Sequence, residues 1–316
     1  MKDKKSISKK YLNNIIKEYD IGNLKSFKIY KQGQAHTNIF LHTSKGKFVL
    51  KRYNKRSKNE ILCELEILEH LNKFNFPCIK PLMTNSKKLY FMLENQFFII
   101  YRYIEGELIN KPNVTHMIQV ARLLAEFHKI SKNFKPKHHS TKLFDNKNRL
   151  LKKVKMSLQK LNNKQIAEER MAFFEKMINQ VKFPKTLPKG ITHGDYSQAN
   201  ILFKNNNVSV VLDFDGASYG YLVFDLASLI YFWAWFKEPK RKLNLQKAKF
   251  LLNEYQKIRS LSKVEKDCIY DALLFRTLIY LSWHINDIKY DKEIKTNYYE
   301  FFKGIVEQVV NIKKDE

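Results

Sequence analysis

The sequence predicts an α+β fold of two lobes, in which a small antiparallel sheet precedes a larger and mainly helical part. Three observations support this prediction. The chain has 316 residues, which is longer than a single hydrophobic core usually grows. Its amino-terminal third is rich in short β-type segments, whereas apolar residues at helical spacing dominate the remainder. The pattern changes after Tyr103, so we expect lobes at residues 1–103 and 104–316, joined by a hinge at 101–106.

The amino-terminal part is predicted to be one helix, an antiparallel meander, a second helix and a hairpin. An amphipathic segment predicts the first helix over 7–19. Gly33 and Gly46 fall in the turns of the meander that follows. The segment 57–74 has apolar residues at helical spacing and ends before Phe76-Pro77, where a helix cannot continue. The predicted strands span residues 26–30, 38–42, 48–53, 89–93 and 97–103.

Beyond Gly106 the chain is predicted to be helical, with a single pair of short strands. The two strands span 201–204 and 208–213, and the turn Asn205-Asn206-Asn207 joins them. Apolar residues recur at helical spacing in seven other segments. These predicted helices span residues 114–130, 150–161, 166–181, 223–236, 246–258, 264–286 and 297–312.

The charge of the chain is strongly unbalanced, with 58 Lys and Arg residues, 31 Asp and Glu residues and a formal net charge of +27. Such a field attracts polyanions, including nucleic acids, membrane surfaces and nucleotide phosphates. It is densest over residues 132–160, where ten basic residues accompany the single acid Asp145. A solvated surface is the interpretation we favour there. Because no nucleic-acid-binding motif accompanies it, no specific nucleic-acid partner is expected.

Composition indicates a protein of the cytoplasm. No apolar segment of signal-peptide type follows the amino terminus. The most apolar run, residues 221–236, is interrupted by a carboxylate and is shorter than the roughly 20 residues that span a bilayer. Cys63, Cys78 and Cys268 are odd in number and lack the spacing of a zinc site, so we expect reduced packing residues. The sequence gives no indication of the oligomeric state.

The most informative stretch, residues 191–216, places three polar side chains on one loop and hairpin. His193-Gly194-Asp195 is followed after four residues by Asn200, and the hairpin then ends in Asp213-Phe214-Asp215. Because the two strands pair across the Asn turn, Asn200 and Asp213 lie at the same open end of the hairpin. Asp and Asn are common in turns, but three with this spacing around a hairpin indicate a functional site.

These residue types suit the transfer of a phosphoryl group, which depends on positioning and charge neutralisation. Asp195 is the candidate to orient an attacking hydroxyl and accept its proton. Asn200 and Asp213 supply the oxygen ligands that Mg²⁺ prefers. His193 is better interpreted as a hydrogen-bonding residue that fixes the loop. The spacing is that of His-Arg-Asp-x-x-x-x-Asn and Asp-Phe-Gly in protein kinases.

The amino-terminal part offers candidates to bind nucleotide phosphates. The strand Phe48-Val49-Leu50-Lys51 ends in a lysine, like the strand whose lysine reaches these phosphates in protein kinases. In the following helix, spacing before Phe76-Pro77 favours Glu64 as the ion-pair partner of Lys51, with Glu66 as the alternative. The turn over 31–38 contains Gly33 and Thr37, which are candidate phosphate contacts together with backbone amides.

At these residues the chain resembles the family of aminoglycoside phosphotransferases, choline kinases and homoserine kinases, small-molecule relatives of protein kinases. The shared pattern is His-Gly-Asp-x-x-x-x-Asn-Ile-Leu, then Leu-Asp-Phe-Asp, then Phe-Asp-Leu-Ala at residues 224–227. Weaker agreement includes the segments 37–51, 64–71 and 121–128. The resemblance covers most of residues 30–235 and is specific for the family, whereas it does not identify an acceptor.

The resemblance implies a two-lobed protein-kinase-like fold and a small-molecule kinase that uses Mg²⁺ with ATP or GTP. The nucleotide would be held by the backbone around Tyr101 and Tyr103. Asp225 would be a structural carboxylate that supports the catalytic loop. No Ala-Pro-Glu segment follows Asp213, which departs from protein kinases and favours a small hydroxyl acceptor. Asp215 stands where protein kinases most often have glycine, which bears on the number of metal ions. The implied roles are Asp195 as base, Asn200 and Asp213 on the metal, and Lys51 on the phosphates.

The pattern over residues 37–50 resembles the homoserine kinase branch most, while choline, amino-sugar and aminoglycoside acceptors also fit the family. Two other classes of function compete with a kinase. A catalytically idle scaffold, such as a spore-coat-type protein, would be expected to lose one of the four residues Lys51, Asp195, Asn200 and Asp213, all of which are present. A basic binder of polyanions rests on charge alone and predicts steeply salt-dependent binding.

Overall fold

The computed structural model describes residues 7–30, 36–139, 146–235, 242–289, 291 and 296–315. Its amino-terminal part consists of two helices and five strands. Predicted and observed elements agree in type and order here, with shifts of a few residues at their ends. The elements are α1 (Lys9–Ile16), β1 (Leu24–Tyr30), β2 (His36–Thr43), β3 (Gly46–Tyr53), α2 (Lys58–Lys73), β4 (Phe91–Leu93) and β5 (Gln96–Arg102).

The five strands form one antiparallel sheet in the order β1-β2-β3-β5-β4. Side chains alternate between its two faces, as the period of two in a strand requires. Phe48 and Leu50 of β3 pack with α1 in an outer core, whereas Lys51 and Tyr53 lie on the opposite face. That second face is turned toward α2 and the carboxyl-terminal part. The alternation of side chains along β3 therefore places Lys51 between the two lobes.

The carboxyl-terminal part is mainly helical, and it contains more strands than the sequence predicts. β7 (Lys189–Thr192) and β10 (Ser218–Tyr221) form a separate antiparallel pair, and the two-residue strand β6 (Glu107–Leu108) adds to the edge of β8 (Ile201–Lys204). The prediction of a single strand pair in this part is therefore wrong. These extra strands have only two to four residues, and two of them contain glycine, so they carry no readable period. The elements are β6 (Glu107–Leu108), α3 (Val114–Ser131), α4 (Lys147–Leu158), α5 (Lys164–Asn179), β7 (Lys189–Thr192), β8 (Ile201–Lys204), β9 (Asn207–Val211), β10 (Ser218–Tyr221), α6 (Val223–Trp233), α7 (Leu245–Gln256), α8 (Lys263–Trp283) and α9 (Tyr298–Asp315).

A two-lobed fold results, with the change from sheet to helices at residues 103–106 between β5 and β6. The largest core extends from α2 through α3 to the packed helices α6, α7, α8 and α9. It fixes α2 against the carboxyl-terminal part. Within the described ranges, no helix has both the length and the apolar character that a membrane crossing requires.

Candidate active site

A cavity of about 470 Å³ lies between the five-stranded sheet and the loop and hairpin that carry the sequence motif. It brings together side chains that are far apart in the sequence. The sheet supplies one wall, the segment after β5 supplies the end, and the motif supplies the opposite wall. Lining residues that the sequence had singled out are Lys51, Tyr101, Tyr103, Asn200 and Asp213.

Lys51 projects from β3 into this cavity and pairs with the buried Glu64 of α2. The Lys51 Nζ and Glu64 Oε1 atoms are 3.2 Å apart, and the Tyr53 hydroxyl donates to the same oxygen at 3.0 Å. The alternative partner, Glu66, instead contacts His138. Burial raises the pKa of Glu64 to about 7, against the opposing charge of Lys51. Geometry therefore selects Glu64 as the partner of Lys51.

Asp215 is the second carboxylate on Lys51, and it also binds two further basic side chains. It pairs directly with the Lys51 ammonium. His36 Nδ1 lies 2.9 Å from its carboxylate, and Arg56 Nη1 donates to its backbone oxygen at 2.8 Å. Burial alone would raise the pKa of Asp215, but Lys51, His36 and Arg56 hold it well below its usual value. One carboxyl-terminal carboxylate thus joins three basic groups of the amino-terminal lobe.

The loop between β7 and β8 holds Asp195 and Asn200 in one hydrogen-bonded unit. The Asn200 amide nitrogen donates to both the backbone oxygen and Oδ2 of Asp195, each at 2.9 Å. Oδ1 of Asp195 accepts a hydrogen bond from Arg276 Nη2 at 3.1 Å. The Asp195 side chain is 43 % exposed. It is therefore both fixed in orientation and open to an incoming acceptor.

His193 fixes this loop through both ring nitrogens. Its Nδ1 accepts the backbone N–H of Asp195 at 3.2 Å, so the proton is on Nε2, which donates to Leu212 O at 2.9 Å. The ring is buried against Phe214 and Tyr196. Hydrogen-bonded through both ring nitrogens, this imidazole connects the Asp195 loop to Leu212, the residue just before Asp213.

Asp225 lies in the first turn of α6 and is completely buried beneath the same loop. Its carboxylate accepts the backbone N–H groups of His193 and Gly194 at 2.6 and 2.9 Å, and it accepts from His128 Nε2 at 3.2 Å. Burial would raise the pKa of Asp225, but His128 and these hydrogen bonds hold it below its usual value. The positive end of the α6 dipole also favours a carboxylate there.

The buried His128 makes folding sensitive to acid. Burial lowers its pKa, and its Nδ1 lies 2.6 Å from the Tyr255 hydroxyl, which donates to it. The unfolded chain binds a proton at this residue below about pH 6.5, whereas the folded chain does not until a lower pH. The free energy of unfolding should therefore fall as the pH drops below that value. His128 can contribute at most about 1.4 kcal/mol to this fall per pH unit.

Urea unfolding between pH 5 and 8 measures this effect. We expect His128→Gln, which cannot titrate, to have a flatter dependence of the free energy of unfolding on pH than the wild type has. Because the comparison is a difference between two proteins, titrating residues that do not contact His128 cancel. Parallel pH dependences of the two proteins over this range would contradict the assignment of His128 as the residue responsible.

The turn after β9 presents Asp213 to the cavity in the left-handed backbone conformation, with φ of +57°. Asp tolerates this region better than most residues. Asp213 Oδ1 is buried and accepts no hydrogen bond from the described residues, while Lys51 Nζ lies 3.7 Å away. The predicted strand 208–213 ends at Val211 because the backbone turns here. An oxygen in such surroundings is suited to receive a cation.

Two glycines bring this turn against the Asp195 loop. Gly194 has φ of +80°, and a Cβ atom on it would lie 2.5 Å from Gly216 O. A Cβ atom on Gly216 would lie 2.6 Å from His193 O. Since real Cβ atoms do not approach oxygen so closely, the two backbones have the present separation only because neither residue has a side chain.

Gly216→Ala should therefore push the Asp213 turn away from the Asp195 loop. We expect a destabilisation of about 1–3 kcal/mol, as for overpacked sites, and a fall in the phosphoryl-transfer activity that the sequence motif predicts. Thermal unfolding and ADP release measure the two effects. Gly304→Ala is the matched control, because a Cβ atom there meets nothing within 4 Å and the residue lies in α9. Equal behaviour of the two variants would contradict the close packing of the loops.

Of the two predicted phosphate contacts Gly33 and Thr37, only Thr37 can be placed, and it is not among the residues that line this cavity. Gly33 lies outside the described residues. Thr37 is described, but its hydroxyl accepts hydrogen bonds from Arg52 and Asn54 at 3.4 and 3.2 Å. Its neighbours His36 and Asn38 line the cavity instead. Alternation along β2 explains this, because residue 37 faces the side opposite to residues 36 and 38.

The two predicted hinge residues do line the cavity, in different ways. Tyr101 pairs with Val49 across β3 and β5, and its side chain is buried. Tyr103 is partly exposed, and its backbone N–H donates to Lys47 O at 3.0 Å. That N–H is therefore engaged by Lys47 of β3.

Three basic residues of the site were not predicted from the sequence, and neither was the contact of Asp215 with Lys51. His36 and Arg56 bind Asp215 from the other lobe, and Arg276 binds Asp195 from α8. The isolated arginine within the apolar pattern of α8 was the one available signal for Arg276. His36 and Arg56 lie among many basic residues, and nothing in the local sequence distinguishes them.

Comparisons with known proteins identify the family of the chain. The model of the phosphotransferase enzyme family matches residues 26–261 of the chain. The homoserine kinase of Bartonella tribocorum is 31 % identical to it over 261 residues, which are 82 % of this chain and 80 % of that enzyme.

Solved structures show the same fold at low sequence identity. An amicoumacin kinase in complex with AMP-PNP, Ca²⁺ and amicoumacin superposes with a TM-score of 0.72 at 15 % identity, covering 98 % of this chain and 94 % of that one. A microcompartment-associated aminopropanol kinase superposes with a TM-score of 0.68 at 12 % identity, covering 97 % and 98 %.

Proposed function

The chain belongs to the phosphotransferase enzyme family and is a small-molecule kinase, and we propose that it transfers the γ-phosphoryl group of ATP to the hydroxyl of homoserine. One observation carries the choice of acceptor, namely the agreement with homoserine kinases along 82 % of the chain. An adenine nucleotide analogue occupies the related amicoumacin kinase, whereas nothing comparable favours GTP. Buried cysteines without a disulfide support a reducing compartment such as the cytoplasm.

We assign the two lobes complementary parts in this reaction, with the boundary between residues 103 and 104. Lys51, fixed by Glu64, supplies positive charge for the nucleotide phosphates from the amino-terminal lobe. The cavity end at Tyr101 and Tyr103 accommodates the base. The carboxyl-terminal lobe supplies the acceptor side of the site.

Asn200 and Asp213 fit a divalent cation. Asp213 Oδ1 is a buried oxygen without a hydrogen-bond donor among the described residues. Because the Asn200 amide nitrogen donates to Asp195, its amide oxygen is directed away from that carboxylate. Both groups are hard oxygen ligands of the kind that Mg²⁺ prefers. The bound cation neutralises the charge that develops on the phosphate oxygens during transfer.

Asp195 is assigned as the group that orients the acceptor and takes its proton. The acceptor oxygen forms a bond to the γ-phosphorus while the bond from that phosphorus to the bridging oxygen of ADP breaks. The hydroxyl proton passes to a carboxylate oxygen of Asp195, and ADP leaves. Asp225 and His193 act on this step only by holding the loop, since both are buried and fully engaged beneath it.

The test is ADP release from Mg·ATP in the presence of single acceptors. The panel contains homoserine, choline, 1-amino-2-propanol, an N-acetylhexosamine and an aminoglycoside. We expect homoserine to give the largest stimulation and Asp195→Asn to abolish it. Stimulation by another acceptor with none by homoserine would overturn the proposed substrate and leave the kinase assignment intact. Failure to bind Mg·ATP would contradict the site assignments themselves.

A further inference from the structure

Arg276 is a buried arginine whose guanidinium reaches the Asp195 loop from the middle of α8. Its Nη1 donates to Gly194 O at 2.6 Å, and its Nη2 donates to Asp195 Oδ1 at 3.1 Å. The residue is 5 % exposed. It lies 81 residues after Asp195 and beyond residue 261, where the match to the family model ends. Neither the sequence motif nor the family model assigns it a role.

The guanidinium is held rigidly in its own surroundings. Its centre lies 5.4 Å from the ring of Phe232 and 5.2 Å from that of Tyr280. Nη2 also donates to the Tyr280 hydroxyl at 3.2 Å, one helical turn further along α8. Tyr280 is in turn stacked on Tyr231 of α6 with ring centroids 4.7 Å apart. A planar group fixed in this way offers its donors in a constant direction.

The two oxygens of Asp195 therefore have different partners. Arg276 holds Oδ1, and Asn200 holds Oδ2. A half-exposed aspartate without these contacts would sample several rotamers. With both contacts its plane is fixed relative to the loop, and only the remaining lone pairs are free to meet an acceptor hydroxyl.

From this geometry, and resting on the proposed function, we propose that Arg276 is a positioning residue that holds the Asp195 carboxylate in the orientation required to accept the proton of the acceptor. It does so in two ways, by fixing Oδ1 directly and by anchoring the preceding carbonyl of Gly194. Arg276 itself does not contact the reacting atoms. Its contribution should therefore fall on kcat and not on the affinity for nucleotide.

Arg276→Ala and Arg276→Lys test this role. A displacement of about 1 Å at a reacting group costs on the order of a hundredfold in rate, so we expect kcat to fall by about tenfold to a hundredfold in the Ala variant. The KM for ATP should change little. Lys keeps the charge but lacks the planar fork, so its kcat should lie between those of the wild type and the Ala variant.

A structural role alone would also lower activity, so two further measurements separate the alternatives. Added guanidinium, at concentrations well below denaturing ones, should partly restore kcat in Arg276→Ala. Arg170→Ala is the matched control, because Arg170 is equally buried and donates to backbone oxygens of Ile285 and Asp287 away from the Asp195 loop. We expect this variant to lose thermal stability, to keep its kcat and to show no response to guanidinium.

The outcomes are distinguishable. If kcat of Arg276→Ala falls only in proportion to the unfolded fraction and guanidinium does not restore it, Arg276 is structural and the proposal is overturned. Failure of the proposed function shows in the wild type, as an absence of stimulation by homoserine. In that case ADP release stimulated by another acceptor of the panel provides the rate for comparing the variants.

Discussion

Asp195→Asn is expected to lower kcat by about 10²–10⁴-fold, the usual contribution of a positioned general base. Asn preserves the size of the side chain and an oxygen for Arg276, but it cannot take the proton of the acceptor. Asn has one oxygen where Asp195 accepts hydrogen bonds from both Arg276 and Asn200, so the free energy of unfolding should fall by about 1–3 kcal/mol. Steady-state ADP release with the stimulating acceptor, together with urea unfolding, measures both quantities.

The matched control is Asp267→Asn, the same change at an exposed carboxylate of α8 that pairs with Lys263 at 3.5 Å. This variant should keep full activity. If Asp195→Asn retained more than about a tenth of the wild-type kcat, general-base catalysis by Asp195 would be excluded as a major contribution.

Asp213→Asn is expected to weaken the dependence of nucleotide binding on Mg²⁺, because the negative charge on the ligand is lost, and to reduce kcat by about 10³-fold or more, since a catalytic metal contributes several kcal/mol. Asn is the appropriate substitution because it tolerates the left-handed backbone found here. The variant should therefore fold normally. Calorimetric titration of ATP with and without Mg²⁺ measures the binding, and ADP release measures kcat.

Asp213→Ala separates the loss of the ligand from strain in the backbone. Alanine in the left-handed region costs about 1–2 kcal/mol, so this variant should be less stable than Asp213→Asn but equally inactive. If Mg²⁺ strengthened ATP binding to Asp213→Asn as strongly as it does to the wild type, the assignment of Asp213 as a metal ligand would be wrong.

Much of the fold and the family could be predicted from the sequence because the decisive features are local. Helical spacing and the strand-rich first third were sufficient for the two-lobed α+β architecture, which is confirmed. The motif from His193 to Asp213 was sufficient for the family, which is also confirmed. A hairpin of only a few residues joins Asn200 to Asp213, and short-range pairing requires little more than a turn signal.

Contacts between distant segments could not be predicted in this way. Arg276 reaches Asp195 because α8 packs against α6, and Asp215 meets His36 and Arg56 because the lobes approach each other. Neither approach has a signature in the local sequence. Thr37 illustrates a different limit, since a shift of one residue in the phase of a strand transfers a side chain to the other face.

Asp215 gives Lys51 a second negative partner in addition to Glu64. The lysine is buried, and a buried ammonium without a counter-ion would be strongly destabilising. The phosphates of ATP would consequently meet an ammonium whose charge the protein's own carboxylates, Glu64 and Asp215, already partly neutralise. An Asp215→Asn variant would bind nucleotide more tightly and would be less stable without it.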